Sequence, residues 1–173
     1  MKLKIKVKVL VPGCEPVVYK KGDWFDLKAA CAVDIPAPQA GVQFQKDNVK
    51  YRNVEIPTVY IPLGVAMELP KGFEAIVASR SSGPKKIGVF IPSGQGIIDE
   101  SYCGNTDEWN YVCAPMREVH INQFDKICQF KIQLNQKATF WQKLKWLFSS
   151  GVEFVFVDNL SNNARGGLGS TGI

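Results

Sequence analysis

The chain has 173 residues, 46% hydrophobic and 21% charged, which predicts one globular domain with a closed core and argues against a second independent domain. Lys and Arg number 21 against 16 Asp and Glu, a formal charge of +5 that suits a small phosphorylated ligand and is too modest for a dedicated nucleic-acid binder. The cysteines Cys14, Cys31, Cys103, Cys113 and Cys128 are odd in number and form no Cys-x-x-Cys pair, which argues against a disulfide scaffold or a zinc site and predicts reduced thiols in a cytoplasmic protein.

Along residues 2–11, Leu3, Ile5, Val7 and Val9 point one way and Lys2, Lys4, Lys6 and Lys8 the other. This is the period of a half-buried strand, its lysine face meeting solvent and deterring edge pairing. The alternation is not the continuous apolar run of a signal peptide, and no stretch is long enough to span a bilayer, so no membrane partner is expected. Short apolar runs follow at 54–63, 64–69, 73–79, 87–91, 96–98, 111–114, 126–134 and 152–157, punctuated by 15 Gly and 10 Pro. That pattern predicts an all-β barrel or jelly roll.

One segment breaks it. Over 139–149, Phe140, Trp141, Leu144, Leu147 and Phe148 share a helical face, with Thr139 as N-cap and Gly151 as stop. A helix this short persists only if docked, so its apolar face is expected against the barrel, with Trp146 exposed off that face; a membrane surface or a protein partner is the alternative. Past residue 157 the chain turns polar and glycine-rich, dividing a β domain at 1–157 from an arm at 158–173 that is expected to be mobile until a ligand binds. Gly167, Gly169 and Gly172 spell Gly-x-Gly-x-x-Gly, but the dinucleotide fingerprint needs a βαβ unit around it. What remains is a run of backbone N–H groups with the Ser170 and Thr171 hydroxyls, suited to fold over a phosphate chain.

Two stretches concentrate chemistry. Ser79-Arg80-Ser81-Ser82-Gly83 supplies a fixed positive charge, hydroxyls and a glycine, the makings of an anion cradle. Lys85 and Lys86 extend the positive field, but Gly83-Pro84-Lys85-Lys86 is not a Walker loop and carries no ATPase reading. In Gly96-Ile97-Ile98-Asp99-Glu100-Ser101-Tyr102-Cys103-Gly104-Asn105, Asp99 follows an apolar pair and is expected at a strand end, where its carboxylate can accept a proton from water or bind a sugar hydroxyl. Tyr102 can lay its ring on a sugar. The ordinary readings are a tight turn at Arg80, a turn-starting Asp99 and a core Tyr102. His120 is the lone histidine and reads as a surface or strand residue, so Ser81 and Ser82 lack a base and water is the expected nucleophile.

Taken in order along nearly the whole chain, these stretches resemble the trimeric deoxyuridine triphosphatases (dUTPases). Asp23-Trp24-Phe25-Asp26-Leu27-Lys28-Ala29-Ala30 is similar to the first motif of that family, with Asp26 in the acidic place. Arg80-Ser81-Ser82-Gly83 resembles the second, Gly96 to Asn105 the third and most specific, Asp125-Lys126-Ile127-Cys128-Gln129 the fourth, and Gly166-Gly167-Leu168-Gly169-Ser170-Thr171-Gly172 the fifth. The resemblance implies a β jelly roll assembled as a homotrimer, with sites shared between subunits and the C-terminal arm closing over one of them. The implied reaction is dUTP plus water to dUMP and pyrophosphate, with Mg²⁺ held largely by the triphosphate. By position, Asp99 orients the water and approaches the deoxyribose 3′-hydroxyl, and Tyr102 stacks on the sugar and excludes a 2′-hydroxyl. Ser81 and Gln129 contact phosphates within a loop completed by Ser82 and Gly83, Arg80 neutralises or braces it, and Asp26 holds water around the metal. Uracil is read in a hairpin over 92–98, including Gly96 and Ile98, largely by backbone groups, and Arg165, Leu168, Gly169, Ser170 and Thr171 close over the substrate.

Three departures stand out. Trp24-Phe25 replaces the usual Ala-Gly, Leu168 stands where an aromatic is common, and Arg165 lies nearer the glycines than in many members. The 139–149 helix and Thr106-Asp107-Glu108-Trp109 fall outside the minimal pattern. Rival readings are a dCTP deaminase of the same fold, which needs a further carboxylate at the base, and a noncatalytic nucleotide-binding regulator gripping a protein through the helix.

Overall fold

A computed structural model of the chain describes residues 1–162, 164 and 165. Its strands in chain order are β1 (Leu3–Val9), β2 (Phe25–Lys28), β3 (Val33–Ile35), β4 (Gln39–Lys46), β5 (Val49–Glu55), β6 (Val59–Pro62), β7 (Val65–Glu68), β8 (Phe73–Ser79), β9 (Val89–Phe90), β10 (Gly96–Ile98), β11 (Asn110–Pro115), β12 (Val119–Ile121), β13 (Lys126–Leu134) and β14 (Val152–Phe156). One helix, α1 (Phe140–Leu147), and a π-helical turn at Gly83–Ile87 complete the described elements. The all-β reading therefore holds.

The alternation in β1 buries Leu3, Ile5 and Val7 completely. Its lysines are not an edge guard, because β1 is a central strand between β14, which it pairs in parallel, and antiparallel β7. The sheet that positions the candidate site has the order β10-β8-β13-β2. Its core side is filled by Phe73 and Phe130, with Trp109 edge-on to Phe130 at a centroid distance of 5.1 Å, each such ring contributing about 1.5–3 kcal/mol by burial. Phe25, one of the two departures from Ala-Gly, packs on Phe130 at 5.3 Å and Phe154 at 4.8 Å. It thereby ties β2 to β14. Trp24 lies under the Lys131 ammonium at 5.1 Å.

Residues 39–55 form a hairpin that the run of apolar residues at 54–63 did not announce. Among the described residues β4 and β5 pair only with each other, and the turn holds Asp47 and Asn48 at φ 50° and 61°, the left-handed pair that suits a tight hairpin. With side chains exposed throughout β5, this arm is held by its ladder and by the Phe44–Tyr51 stack at 5.3 Å. The predicted strand at 54–63 splits at Pro57 into the end of β5 and β6.

Helix α1 begins as expected, with a reciprocal capping box between Thr139 and Gln142. Its broad apolar face does not dock as expected: Phe140, Trp141, Leu147 and Phe148 are exposed, Trp141 by 76%, and Leu144 alone of that face is half-buried. Trp146 is exposed as expected, by 39%, while its ring also packs on Phe73 at 5.4 Å. Gln142 fills the space over Gly72, where φ is +87° and a Cβ would meet its amide at 2.4 Å. The helix thus meets the sheet through Gln142 at Gly72 and Trp146 at Phe73.

Candidate active site

The antiparallel sheet collects one group of the expected residues at the C-terminal end of β8. Asp26 on β2 faces Gln129 on β13, which faces Ala78 on β8, so three distant segments meet beside Ser79 and Arg80. Asp26 is 4% exposed. Its Oδ2 lies 3.1 Å from Arg80 Nη2, while Arg80 Nη1 donates to the Lys126 carbonyl at 3.3 Å. Gln129 Nε2 donates to the Ser79 carbonyl at 3.4 Å. Arg80 is therefore a brace between motifs as well as a charge.

The chain then turns through exposed Ser81 and half-buried Ser82 into the π-helical turn, with Gly83 buried and Pro84 at its start. A Cβ on Gly83 would meet nothing nearer than 3.8 Å, so packing does not demand glycine there. At Gly88, φ is +92° and a Cβ would meet the Arg117 guanidinium at 2.7 Å. Arg117 Nη2 donates to the Lys86 carbonyl at 3.2 Å. Arg80, Lys85, Lys86 and Arg117 thus surround one loop with positive charge, a field suited to phosphate. Arg117 gave no signal in the sequence, since it reaches the loop across 31 residues.

The second group gathers at the other end of the sheet. Asp99 follows β10, as expected, and β10 pairs Ile98 with Ala75. Ser79 lies four residues further along β8, about 14 Å at roughly 3.4 Å per residue. Within one chain, then, Asp99 and the Arg80 loop stand at opposite ends of β8. Asp99 Oδ1 accepts from the Ser101 backbone N–H at 2.9 Å and from the Ser101 hydroxyl, and Oδ2 accepts from Arg165 Nη1 at 2.5 Å. Burial acts to raise the Asp99 pKa, but the Ser101 and Arg165 hydrogen bonds and the Arg165 charge outweigh it and hold the carboxyl below its ordinary range.

Tyr102 packs against the core with its hydroxyl donating to the Glu108 carbonyl at 2.9 Å, so the ring is fixed in place. Burial, then the charges of Asp107 and Glu108, push its phenol pKa up. The segment at 92–95 is not part of a hairpin with β10. β9 pairs with β11 and β10 with β8, so this turn, closed by Gly94 N–H to the Ile91 carbonyl at 3.0 Å, carries the chain from one sheet to another. Gly96 and Ile98 lie on β10 beside Val77 and Ala75. Leu168, Gly169, Ser170 and Thr171 lie outside the described residues.

Among the described residues no three His, Cys, Asp or Glu side chains cluster as a metal cage. Asp26 Oδ2 is buried without a hydrogen bond, the one feature of the cradle that suits an outer-shell water, although Arg80 already neutralises it.

No family model matches the chain. It is 39% identical over 153 residues to the SPbeta prophage-derived deoxyuridine 5′-triphosphate nucleotidohydrolase YosS of Bacillus subtilis, across 88% of this chain and 86% of that protein. It is 32% identical over 114 residues to the deoxyuridine 5′-triphosphate nucleotidohydrolase of Streptomyces coelicolor, of which it spans 55%. In fold it is similar to the dUTPase of Streptococcus mutans (TM-score 0.59, 20% identity, 73% of this chain and 90% of that one). It is likewise similar to a dUTPase of phage phi11 of S. aureus, whose structure concerns the coordination of a structural Mg(II) ion (TM-score 0.59, 17% identity, 79% and 94% covered). Identity of 39% across most of both chains goes beyond shared architecture, and the chain belongs to the deoxyuridine 5′-triphosphate nucleotidohydrolase (dUTPase) family.

Proposed function

We propose that the chain hydrolyses dUTP to dUMP and pyrophosphate by attack of water on the α-phosphorus. The observation that carries this is Asp99, held as a carboxylate at a strand end beside an immobilised Tyr102 ring. Asp99 orients the water and takes its proton; the water oxygen bonds to the α-phosphorus, and the bond from that phosphorus to the bridging oxygen breaks with pyrophosphate leaving. Tyr102 backs the deoxyribose and crowds a 2′-hydroxyl. Ser81, Ser82, Gly83 and Gln129, with the Arg80 charge, hold the phosphates. Positioning and charge neutralisation of this kind are what phosphoryl chemistry requires of a protein. Uracil is read by backbone groups between 92 and 98, including those of Gly96 and Ile98, and the arm of 158–173, with Arg165, Leu168, Gly169, Ser170 and Thr171, closes over the substrate. Mg²⁺ would supply neutralisation of the triphosphate, and Asp26 is the side chain that would hold its water.

The working assembly is a homotrimer of jelly rolls, the 1–157 domain of one subunit supplying Asp99 and Tyr102 and that of another the Arg80 loop. The separation of these groups along β8 supports it, because a neighbouring subunit can bring an Arg80 loop closer to Asp99 than the chain's own, which stands at the far end of the strand. Five free thiols support a cytoplasmic setting, and the outward face of α1 supports a protein partner there.

Incubation with dUTP or dCTP and Mg²⁺, following dUMP, pyrophosphate and ammonia, tests the reading. dUMP and pyrophosphate from dUTP alone are expected, and Asp99→Asn should lose about 10²–10⁴-fold in kcat. Ammonia from dCTP, or undiminished turnover in Asp99→Asn, would refute it.

A further inference from the structure

We propose that Tyr111 is a positioning residue for the reaction, its buried hydroxyl tethering Ser79 at the end of β8 and so setting where the Arg80 loop meets the phosphates. The inference rests on the reading of that loop as the phosphate grip. Tyr111 lies on β11 and is fully buried, and a hydroxyl taken into a core costs free energy unless it finds a partner. That partner is the Ser79 hydroxyl, at 2.8 Å and 32 positions away in sequence. β11 belongs to the sheet β6-β11-β9 and β8 to the sheet β10-β8-β13-β2. The bond therefore fastens one sheet to the other, one residue short of Arg80.

Strand register makes this fastening act on the loop. Ser79 faces Cys128 of β13, and Cys128 faces Leu27 of β2, so the three share one side of the sheet. Cys128 and Leu27 are buried in the core, while Ala78, Gln129 and Asp26 line up on the opposite side. The last residue of β8 thus turns a hydroxyl toward the core, where an apolar side chain is the ordinary choice. Its backbone is held as well, the Ser79 carbonyl accepting from Gln129 Nε2 at 3.4 Å. Arg80 follows, and its carbonyl accepts the Gly83 N–H at 2.8 Å, closing the turn through Ser81 and Ser82. Tyr111 is itself fixed, since β11 pairs it with Ile61 of β6. Burial pushes its phenol pKa up, against a smaller lowering by the Ser79 bond, so the hydroxyl stays protonated at neutral pH. A ring locked in the core therefore sets the point from which the loop leaves the sheet. That point matters, because a misplacement of about 1 Å can cost on the order of 10²-fold in rate.

A double-mutant cycle read on two ligands distinguishes positioning from mere structure. Wild type, Tyr111→Phe, Ser79→Ala and the double variant are assayed for kcat and KM with dUTP and Mg²⁺, and for binding of α,β-imido dUTP and of deoxyuridine. Tyr111→Phe keeps the ring and should lower kcat/KM about fivefold, the scale of one neutral hydrogen bond. Affinity for the imido triphosphate should fall by a similar factor and that for deoxyuridine by less than about twofold, because the nucleoside has no phosphate for the loop to hold. Ser79→Ala should match Tyr111→Phe in kcat/KM, and the double variant should be no worse than either, since one tether cannot be broken twice. Losses that multiply, equal weakening of both ligands, or wild-type kcat/KM in Tyr111→Phe would overturn the proposal. Ser79→Ala strands a buried phenol hydroxyl. Should it fail to fold, adding Ser79→Ala to Tyr111→Phe decides the matter, with no further loss expected and a further loss of about fivefold overturning the tether. A wild type that neither binds nor hydrolyses dUTP would sink the functional reading and the proposal with it; an active wild type with multiplying losses sinks the proposal alone.

Discussion

Truncating the two partners of the Arg80–Asp26 pair should cost very different amounts. Asp26 has 5% of its side chain exposed and Arg80 31%. Arg80→Ala leaves a buried carboxylate whose Oδ2 has no hydrogen bond to fall back on, the situation in which a broken buried pair costs about 3–5 kcal/mol. Arg80 is partly solvated, so the lower end, about 3 kcal/mol, applies. Asp26→Ala instead frees a guanidinium that can turn to water and keep its bond to the Lys126 carbonyl, at about 1 kcal/mol. The difference of about 2 kcal/mol corresponds to roughly 1 M in urea midpoint for a slope near 2 kcal/mol/M. Urea unfolding at pH 7 and one fixed protomer concentration measures it. Equal midpoints, or a larger loss in Asp26→Ala, would refute the asymmetry and with it the view of Arg80 as the brace of this loop.

Other outcomes follow from other contacts. Because hydrogen bonds depress the Asp99 pKa despite burial, the acidic limb of kcat/KM should lie below the ordinary carboxylate range. The stabilisation from those contacts should be present above the unfolded value and lost as pH falls through the folded one. Arg165→Ala removes two lowering influences, so that limb should move to higher pH; a shift to lower pH would contradict the contact. Cys31 is exposed and the other four thiols are buried, burial pushing Cys113 up to about 11, so a thiol reagent should titrate one equivalent rapidly in the native protein and the rest only on unfolding. Trp146→Ala should cost about 1–2 kcal/mol through its contact with Phe73, and Trp141→Ala less than about 0.5 kcal/mol, as thermal unfolding will show.

Periodicity made the body of the fold legible. β1, β8, β10 and β13 lie where the apolar runs put them, because each alternates or fills a two-sided interior. The hairpin of β4 and β5 escaped because its signals are local turn chemistry at Asp47-Asn48 and one aromatic stack, with no buried face to impose a period. The helix was legible in extent and cap and in the exposure of Trp146, but its broad apolar face, expected against the barrel, is largely exposed, the contacts to Gly72 and Phe73 coming from Gln142 and Trp146. Arg80, Asp99 and Tyr102 stood out by local residue chemistry, and Gln129 by the family resemblance. Their division between two ends of β8 depends on strand register, and Arg117 and Tyr111 act through partners far away in sequence.

The parallel pairing of β1 with β14 also bears on how the chain is made. Leu3, at the start of β1, finds its partner in Val152, so during synthesis β1 waits for a strand made far later before both its edges are covered. Through that interval it is an exposed ribbon with Leu3, Ile5 and Val7 on one side, the kind of segment that seeds association between nascent chains. Lysine at every second position surrounds those residues with charge until β7 and then β14 arrive. The same side chains at Lys6 and Lys8 close on the arm root in the finished molecule, so charges that solvate the unpaired ribbon later become a fastening.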